Sequence, residues 1–89
     1  MRRDLKLVKH LLDMVQAYAD HEGVYLSVLL PKWESSSGDS ENPLSYDQLV
    51  YHVNLCANAG FISVETGNII QMTWAGHEYL DAQAVTHQA

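Results

Sequence analysis

Apolar residues recur at three- and four-residue spacing over the first twenty positions. Leu5, Val8, Leu12, Val15 and Ala19 form one stripe, which Leu7, Leu11 and Tyr18 widen. The spacing predicts an amphipathic helix from about Asp4 to Asp20. Asp4 suits its N-terminal turn and Gly23 its exit. The pattern then changes period. Val24, Leu26, Val28 and Leu30 alternate with Tyr25, Ser27 and Leu29, which predicts a strand ended by Pro31. The polar stretch from Trp33 to Pro43, rich in serine, predicts a mobile loop. A second helix follows from Tyr46 to Ala59. Ser45 and Gln48 stand at capping-box spacing before it. Leu49, Val53 and Cys56 share one face, with Val50 and Ala57 beside it, and Gly60 is placed to end it. Phe61–Glu65 and Ile69–Thr73 predict a hairpin turning on Thr66, Gly67 and Asn68. Thr73 is a suitable N-cap for a last helix. Trp74 is expected to fold its indole back over the hairpin or the first helix, and Tyr79, Leu80 and Val85 to continue the packing face. Gly76 in an early helical turn costs about 1 kcal/mol relative to alanine, so a close backbone neighbour is expected there.

Eighty-nine residues suit one domain over 1–89, with a mobile loop at about 33–43 and a frayed tail at about 85–89. A chain of this size buries only about 60–65% of its unfolded surface, so the core is small. Cys56 is the one cysteine, which excludes an internal disulfide and suits a reducing compartment. The N-terminal stretch carries Lys6, Lys9, His10 and Asp13 and is too short to span a bilayer. These features predict a cytoplasmic protein without a membrane partner. The net charge of −6 is polarised. Arg2, Arg3, Lys6 and Lys9 against Asp4 give residues 1–10 a charge of +3; elsewhere Lys32 stands against ten acids, giving −9. Such a balance disfavours nonspecific nucleic-acid binding. The basic end reads first as a solvated first turn; because cations at a helix N-terminus oppose the macrodipole, Arg2, Arg3, Lys6 and Lys9 also form a candidate basic patch held for a partner, a DNA backbone or an acidic neighbour.

A helix ending in "ANAGFI" followed by a hairpin resembles the third helix and wing of a winged helix, and "MTWAGHEYL" resembles the segment after the wing in many winged-helix regulators. The stretches "MRRDLKLVKHLL", "YHVNLCANAGFI" and "MTWAGHEYLD" are similar to a family of small phage and prophage proteins known only as a domain of unknown function. They cover somewhat under half the chain in matching order. The resemblance implies an α+β, winged-helix-like domain in the order helix–strand–helix–hairpin–helix, with His52 and His77 at family-type positions. The chain departs from the winged-helix pattern at Trp33–Pro43, where a predicted loop stands in place of the first helix of a helix-turn-helix.

The fold class suggests DNA reading by the helix Tyr46–Ala59, which would expose Asp47, Gln48, Tyr51, Asn54 and Asn58. Asn and Gln can read adenine. That helix and the turn after Glu65 hold no Arg or Lys, however, and phosphate contacts supply most of the affinity in such complexes. His52 and Cys56, four apart on one helix, have the spacing of two zinc ligands or of a nucleophile and its base, with His77 and His10 as further donors. No second pair of CxxC or HxxxH type is present; a lone cysteine on an apolar face reads as a small buried residue, and His52 and His77 then read as hydrogen-bonding at a packing seam. The sequence therefore predicts no catalytic residue, no metal and no cofactor. The preferred reading is a non-catalytic protein that binds another protein, host or phage, and so modulates a host factor. Its candidate surface comprises Trp33, Tyr46, Gln48, Tyr51, His52, Asn54 and Asn58, with Trp33 equally suited to cap the core. A winged-helix DNA-binding regulator is the alternative, and the edge strand at 24–30 leaves a homodimer open.

Overall fold

The computed structural model describes residues 2–35 and 44–88, with side chains described through residue 83. Among these residues the chain forms four helices and one three-stranded antiparallel sheet. The order is α1 (Leu5–Tyr18), β1 (Val24–Tyr25), α2 (Leu26–Ser35), α3 (Tyr46–Asn58), β2 (Ile62–Glu65), β3 (Ile69–Met72) and α4 (Trp74–Gln88). The helix α4 runs across the expected tail at 85–88. Val85 lies outside the described side chains; of the loop expected at about 33–43, residues 33–35 are helical instead and 36–43 lie outside the described residues.

The Asp4 side chain caps α1 by accepting from the Lys6 N–H at 2.9 Å. Val8, Leu11, Leu12, Met14 and Val15 then face inward. The helix ends at Tyr18, five residues before Gly23. Gly23 instead closes the turn into β1 with φ +101°, where a Cβ would meet Gln71, Ile69 and the Ile70 carbonyl at 2.8 Å. Only glycine fits a left-handed residue packed that tightly on a strand.

The expected strand at 24–30 is corrected. Only Val24 and Tyr25 pair with the sheet, opposite Ile70 and Ile69. From Leu26 the chain is helical through Ser35. The same run carries two periods. Leu26, Leu29, Leu30 and Trp33 stand at i, i+3, i+4 and i+7, and this helical set is the one the core takes: Leu29 and Trp33 are buried, and Leu26 and Leu30 are half-buried. Val28, on which the alternating reading depends, is exposed. Pro31 sits inside the helix and removes the bond to the Ser27 carbonyl, and Ser27 is exposed. This helix replaces the expected strand from Leu26 and takes in 33–35, the start of the stretch expected as a loop.

The capping box of α3 forms in full: Gln48 N–H to Ser45 Oγ at 3.2 Å and Ser45 N–H to Gln48 Oε1 at 2.8 Å. Its other end is a Schellman turn. Phe61 N–H reaches the Cys56 carbonyl at 2.9 Å and Gly60 N–H the Ala57 carbonyl at 3.1 Å, with Gly60 at φ +83°. The hairpin pairs Ile62–Glu65 with Ile69–Met72 in the sheet order β1-β3-β2, and Gly67 and Asn68 supply the positive φ of its turn.

At the β3–α4 junction, Thr73 Oγ1 accepts from Gly76 N–H at 3.1 Å and donates to the Gly60 carbonyl at 2.5 Å. Thr73 N–H bonds the Phe61 carbonyl at 3.1 Å. A Cβ on Gly76 would collide with that same carbonyl oxygen, so the expected close backbone neighbour is Phe61. The indole of Trp74 does not fold back over the hairpin or α1; it is 81% exposed. Gly76, Tyr79 and Leu80 take the inward side of the helix, and Tyr79 stacks on Phe61 with centroids 4.8 Å apart.

Candidate interaction surface

Helix α3 shows one polar stripe to solvent. Asp47, Asn54 and Asn58 are exposed and Tyr51 is half-buried, at i, i+4, i+7 and i+11, and Tyr46 is exposed beside them. Gln48 is partly withdrawn from this set, because its side-chain oxygen is committed to the capping box.

Two of the expected surface residues belong to the interior. Trp33 is completely buried; its Nε1–H donates to the Ser45 carbonyl at 3.0 Å, and its ring lies 5.5 Å from that of His10 and 6.4 Å from that of His52. Burying an indole satisfies the largest apolar surface in the chain, and the Ser45 carbonyl supplies the one partner its N–H needs. His52 is 2% exposed. Its Nε2 accepts from the Asp4 N–H at 3.1 Å, so Nδ1 carries the proton that goes to the Gln48 carbonyl at 2.8 Å. The ring meets Tyr51 edge-on at 5.4 Å. His52 thereby ties the start of α1 to the first turns of α3.

This tie sets the place of the basic residues. Arg2, Arg3 and Lys6 are exposed around a cavity of about 550 Å³ whose far wall is Gln48 and His52. They therefore flank α3 on one side. Lys9 lies a turn further on and is paired with Asp13 at 2.7 Å. Such a half-exposed i,i+4 pair contributes roughly 0.3–0.5 kcal/mol. Next to this cavity is a second, about 240 Å³ in volume and mainly apolar. Leu5, Val8, Leu55, Ala59, Phe61 and Tyr79 line it, Arg3 stands with them, and the buried Cys56 borders it.

Among the described residues, those with metal or nucleophile spacing do not gather into a set of three or more. Burial pushes the Cys56 thiol up to about 11, so it is protonated at neutral pH. Both nitrogens of His52 are engaged as described. His77 faces away, with Nδ1 2.9 Å from Gln16 Oε1 on α1. His10 lies against Trp33, and burial lowers its pKa below 6.5, with Asp13 opposing and Lys9 assisting. Among the described residues no three His, Cys, Asp or Glu side chains converge as a metal would require. Among them, too, no helix is long and apolar enough to cross a membrane.

Trp74 is the surface residue that the sequence reading misplaces. The helical wheel carries the signal: with Gly76, Tyr79 and Leu80 inward, position 74 falls on the opposite side, in line with Glu78 and Asp81. All three are exposed. Comparison of this chain with protein-family models, with curated proteins and with solved structures finds no match.

Proposed function

We propose that the chain is a winged-helix-type module of the small phage and prophage kind its sequence resembles, and that it acts by binding another protein. The element order supports the winged-helix arrangement, as does a sheet in which the short first strand pairs with the second strand of the hairpin. In this arrangement α2 and α3 are the helix-turn-helix pair and β2–β3 the wing. Of the stretch 33–43, where the sequence predicts a departure from the pattern, residues 33–35 belong to α2.

One observation carries the protein-binding reading: Arg3 of the first turn borders an apolar groove, next to the cavity that Arg2, Arg3 and Lys6 surround. Leu5 in that groove is 56% exposed. A surface that joins apolar walls to a charged rim has the layout of a protein interface. The protonated thiol of Cys56 and the dispersed histidines give catalysis no support. On this reading the module is a phage or prophage factor that modulates a host or phage protein.

A DNA-binding regulator is the second reading, favoured by one observation: Arg2, Arg3 and Lys6 flank α3, where phosphates on one side of a major groove would lie. Three cations beside a helix that has none of its own offer few phosphate contacts. The two readings separate in a titration of a labelled mixed-sequence duplex at about 50 mM salt, where nonspecific binding is strong. The protein-binding reading expects no saturation. Saturable binding that weakens steeply with salt would overturn it in favour of the DNA reading.

A further inference from the structure

The chain holds two tryptophans with opposite fates. Trp33 is fully buried and Trp74 is 81% exposed. An aromatic side chain of this size removes about 150–250 Å² from water when covered. The junction prevents its own chain from covering it. Thr73 caps α4, Gly76 is pressed on the Phe61 carbonyl, and Tyr79 and Leu80 fill the inward side. The first residue of the helix is thereby aimed away from the core.

An apolar recess lies beside it. Phe61 lines the groove of about 240 Å³, and its carbonyl holds the Thr73 N–H, one residue before Trp74. Knob and recess are thus close in the fold, one residue removed from a shared hydrogen bond, and the outward direction of Trp74 keeps them from meeting within one chain. Their charges are opposite. Glu78 and Asp81 follow Trp74 along the exposed side of α4, whereas Arg3 stands at the groove, with Arg2 and Lys6 around the adjoining cavity. Outside residues 1–10 the chain carries −9, so the basic first turn is the part of one copy that attracts the rest of another.

We infer that two copies of this chain form a dimer in which Trp74 of each enters the groove between α1, α3 and α4 of the other. Glu78 and Asp81 then face the partner's basic first turn. A two-fold arrangement makes this contact twice and closes, which neighbouring complementary features permit. A specific interface needs roughly 1,000 Å² in total, or about 500 Å² per copy. That is under a tenth of the 5916 Å² each copy exposes. The inference rests on the reading of this surface as a protein-docking surface, and it names the occupant.

Sedimentation velocity from about 5 to about 500 µM protein tests it. A monomer–dimer equilibrium is expected, weaker at about 500 mM than at about 50 mM salt. Trp74→Ala should weaken it about 30-fold or more, as loss of a central aromatic anchor does. Arg3→Glu and Glu78→Lys should each weaken it, and together restore it. Both positions are exposed, so circular dichroism melts of the variants should match the parent. A chain that stays monomeric throughout, or a dimer indifferent to Trp74→Ala and to the charge swap, overturns the inference. Neither outcome touches the broader protein-binding reading, which the duplex titration judges separately.

Discussion

Gly76→Ala sets two physical effects against each other. Gly76 lies in a helix, where alanine is better than glycine by about 1 kcal/mol. Propensity alone therefore expects stabilisation. The structure expects the reverse. The new Cβ would collide with the Phe61 carbonyl oxygen and sit 3.1 Å from both the Phe61 carbonyl carbon and Met72 Cε. The methionine can swing aside, but the carbonyl cannot. It accepts the Thr73 N–H, it follows the Schellman turn of α3, and its residue stacks on Tyr79. Overpacking of this kind costs about 1–3 kcal/mol, and contact with fixed backbone belongs at the upper end. Subtracting the helical gain leaves a net loss of about 2 kcal/mol. For a domain of this size that lowers Tm by roughly 8–16 °C. The assay is thermal and urea unfolding followed by circular dichroism. The exposed neighbour serves as control: Ala75→Gly should cost about 1 kcal/mol from propensity alone. A Tm for Gly76→Ala equal to or above that of the parent would refute the argument, because it would mean that α4 does not press on Phe61.

Four further outcomes follow from the same structure. His52→Ala removes the acceptor of the Asp4 N–H and a buried ring, and is expected to cost about 2–3 kcal/mol. Hydrogen exchange should quicken first in the opening turn of α1, and unchanged exchange there would deny the tie between α1 and α3. Pro31→Ala restores the Ser27 carbonyl bond inside α2 and should stabilise by about 1 kcal/mol after the unfolded-state entropy is set against it; a loss would favour the strand over the helix. Cys56 should react with iodoacetamide at least about 100-fold more slowly in native than in unfolded protein at neutral pH, since a thiol at about 11 is almost wholly protonated; comparable rates would place the thiol at the surface. Burial keeps His10 neutral in the folded state, so the unfolded chain takes up its proton first as pH falls. The stability this gives is complete above about 6.5 and is lost as pH drops through that value towards the lower folded pKa; a Tm that falls as steeply in His10→Gln as in the parent would assign the effect to other groups.

Much of the fold is legible in the sequence because local chemistry and tertiary packing agree there. In α1 the core covers the middle of the apolar stripe, Val8, Leu11, Leu12 and Val15, and adds Met14, while Leu5 and Tyr18 at its ends stay exposed. In α3 the Ser45–Gln48 box and Gly60 mark both ends by hydrogen bonds that need no distant partner. The hairpin turn is similar, since Gly67 and Asn68 supply its positive φ locally. Residues 24–35 differ because they satisfy two periods at once. Val24, Leu26, Val28 and Leu30 alternate, while Leu26, Leu29, Leu30 and Trp33 wind. The choice between them is tertiary. Only the winding set carries Trp33, and burying that indole under His10 and His52 outweighs both the alternation and Pro31. An aromatic beside a serine-rich stretch reads locally as the edge of a loop, whereas its real partner is the Ser45 carbonyl twelve residues away.

The candidate surface is less legible for a related reason. A helical face can be read from one segment, but a groove needs two. The stripe of Asp47, Asn54 and Asn58 follows from spacing within α3. The position of Arg2 and Arg3 beside it does not, because it depends on one long-range bond from the Asp4 N–H to a histidine forty-eight residues away. His52 thus stands inward of its expected place on the surface and fixes the surface from beneath. The same bond explains why cations persist at a helix N-terminus despite the dipole: the first turn is placed by α3, and its charge faces outward over an apolar recess. Trp74 completes the picture from the other end of the chain, turned outward because Gly76, Tyr79 and Leu80 take the inward side of α4. The exposed cations and the exposed indole are therefore both products of packing constraints, and neither is residue left over from folding. Each is kept in water by a contact that a single substitution can release.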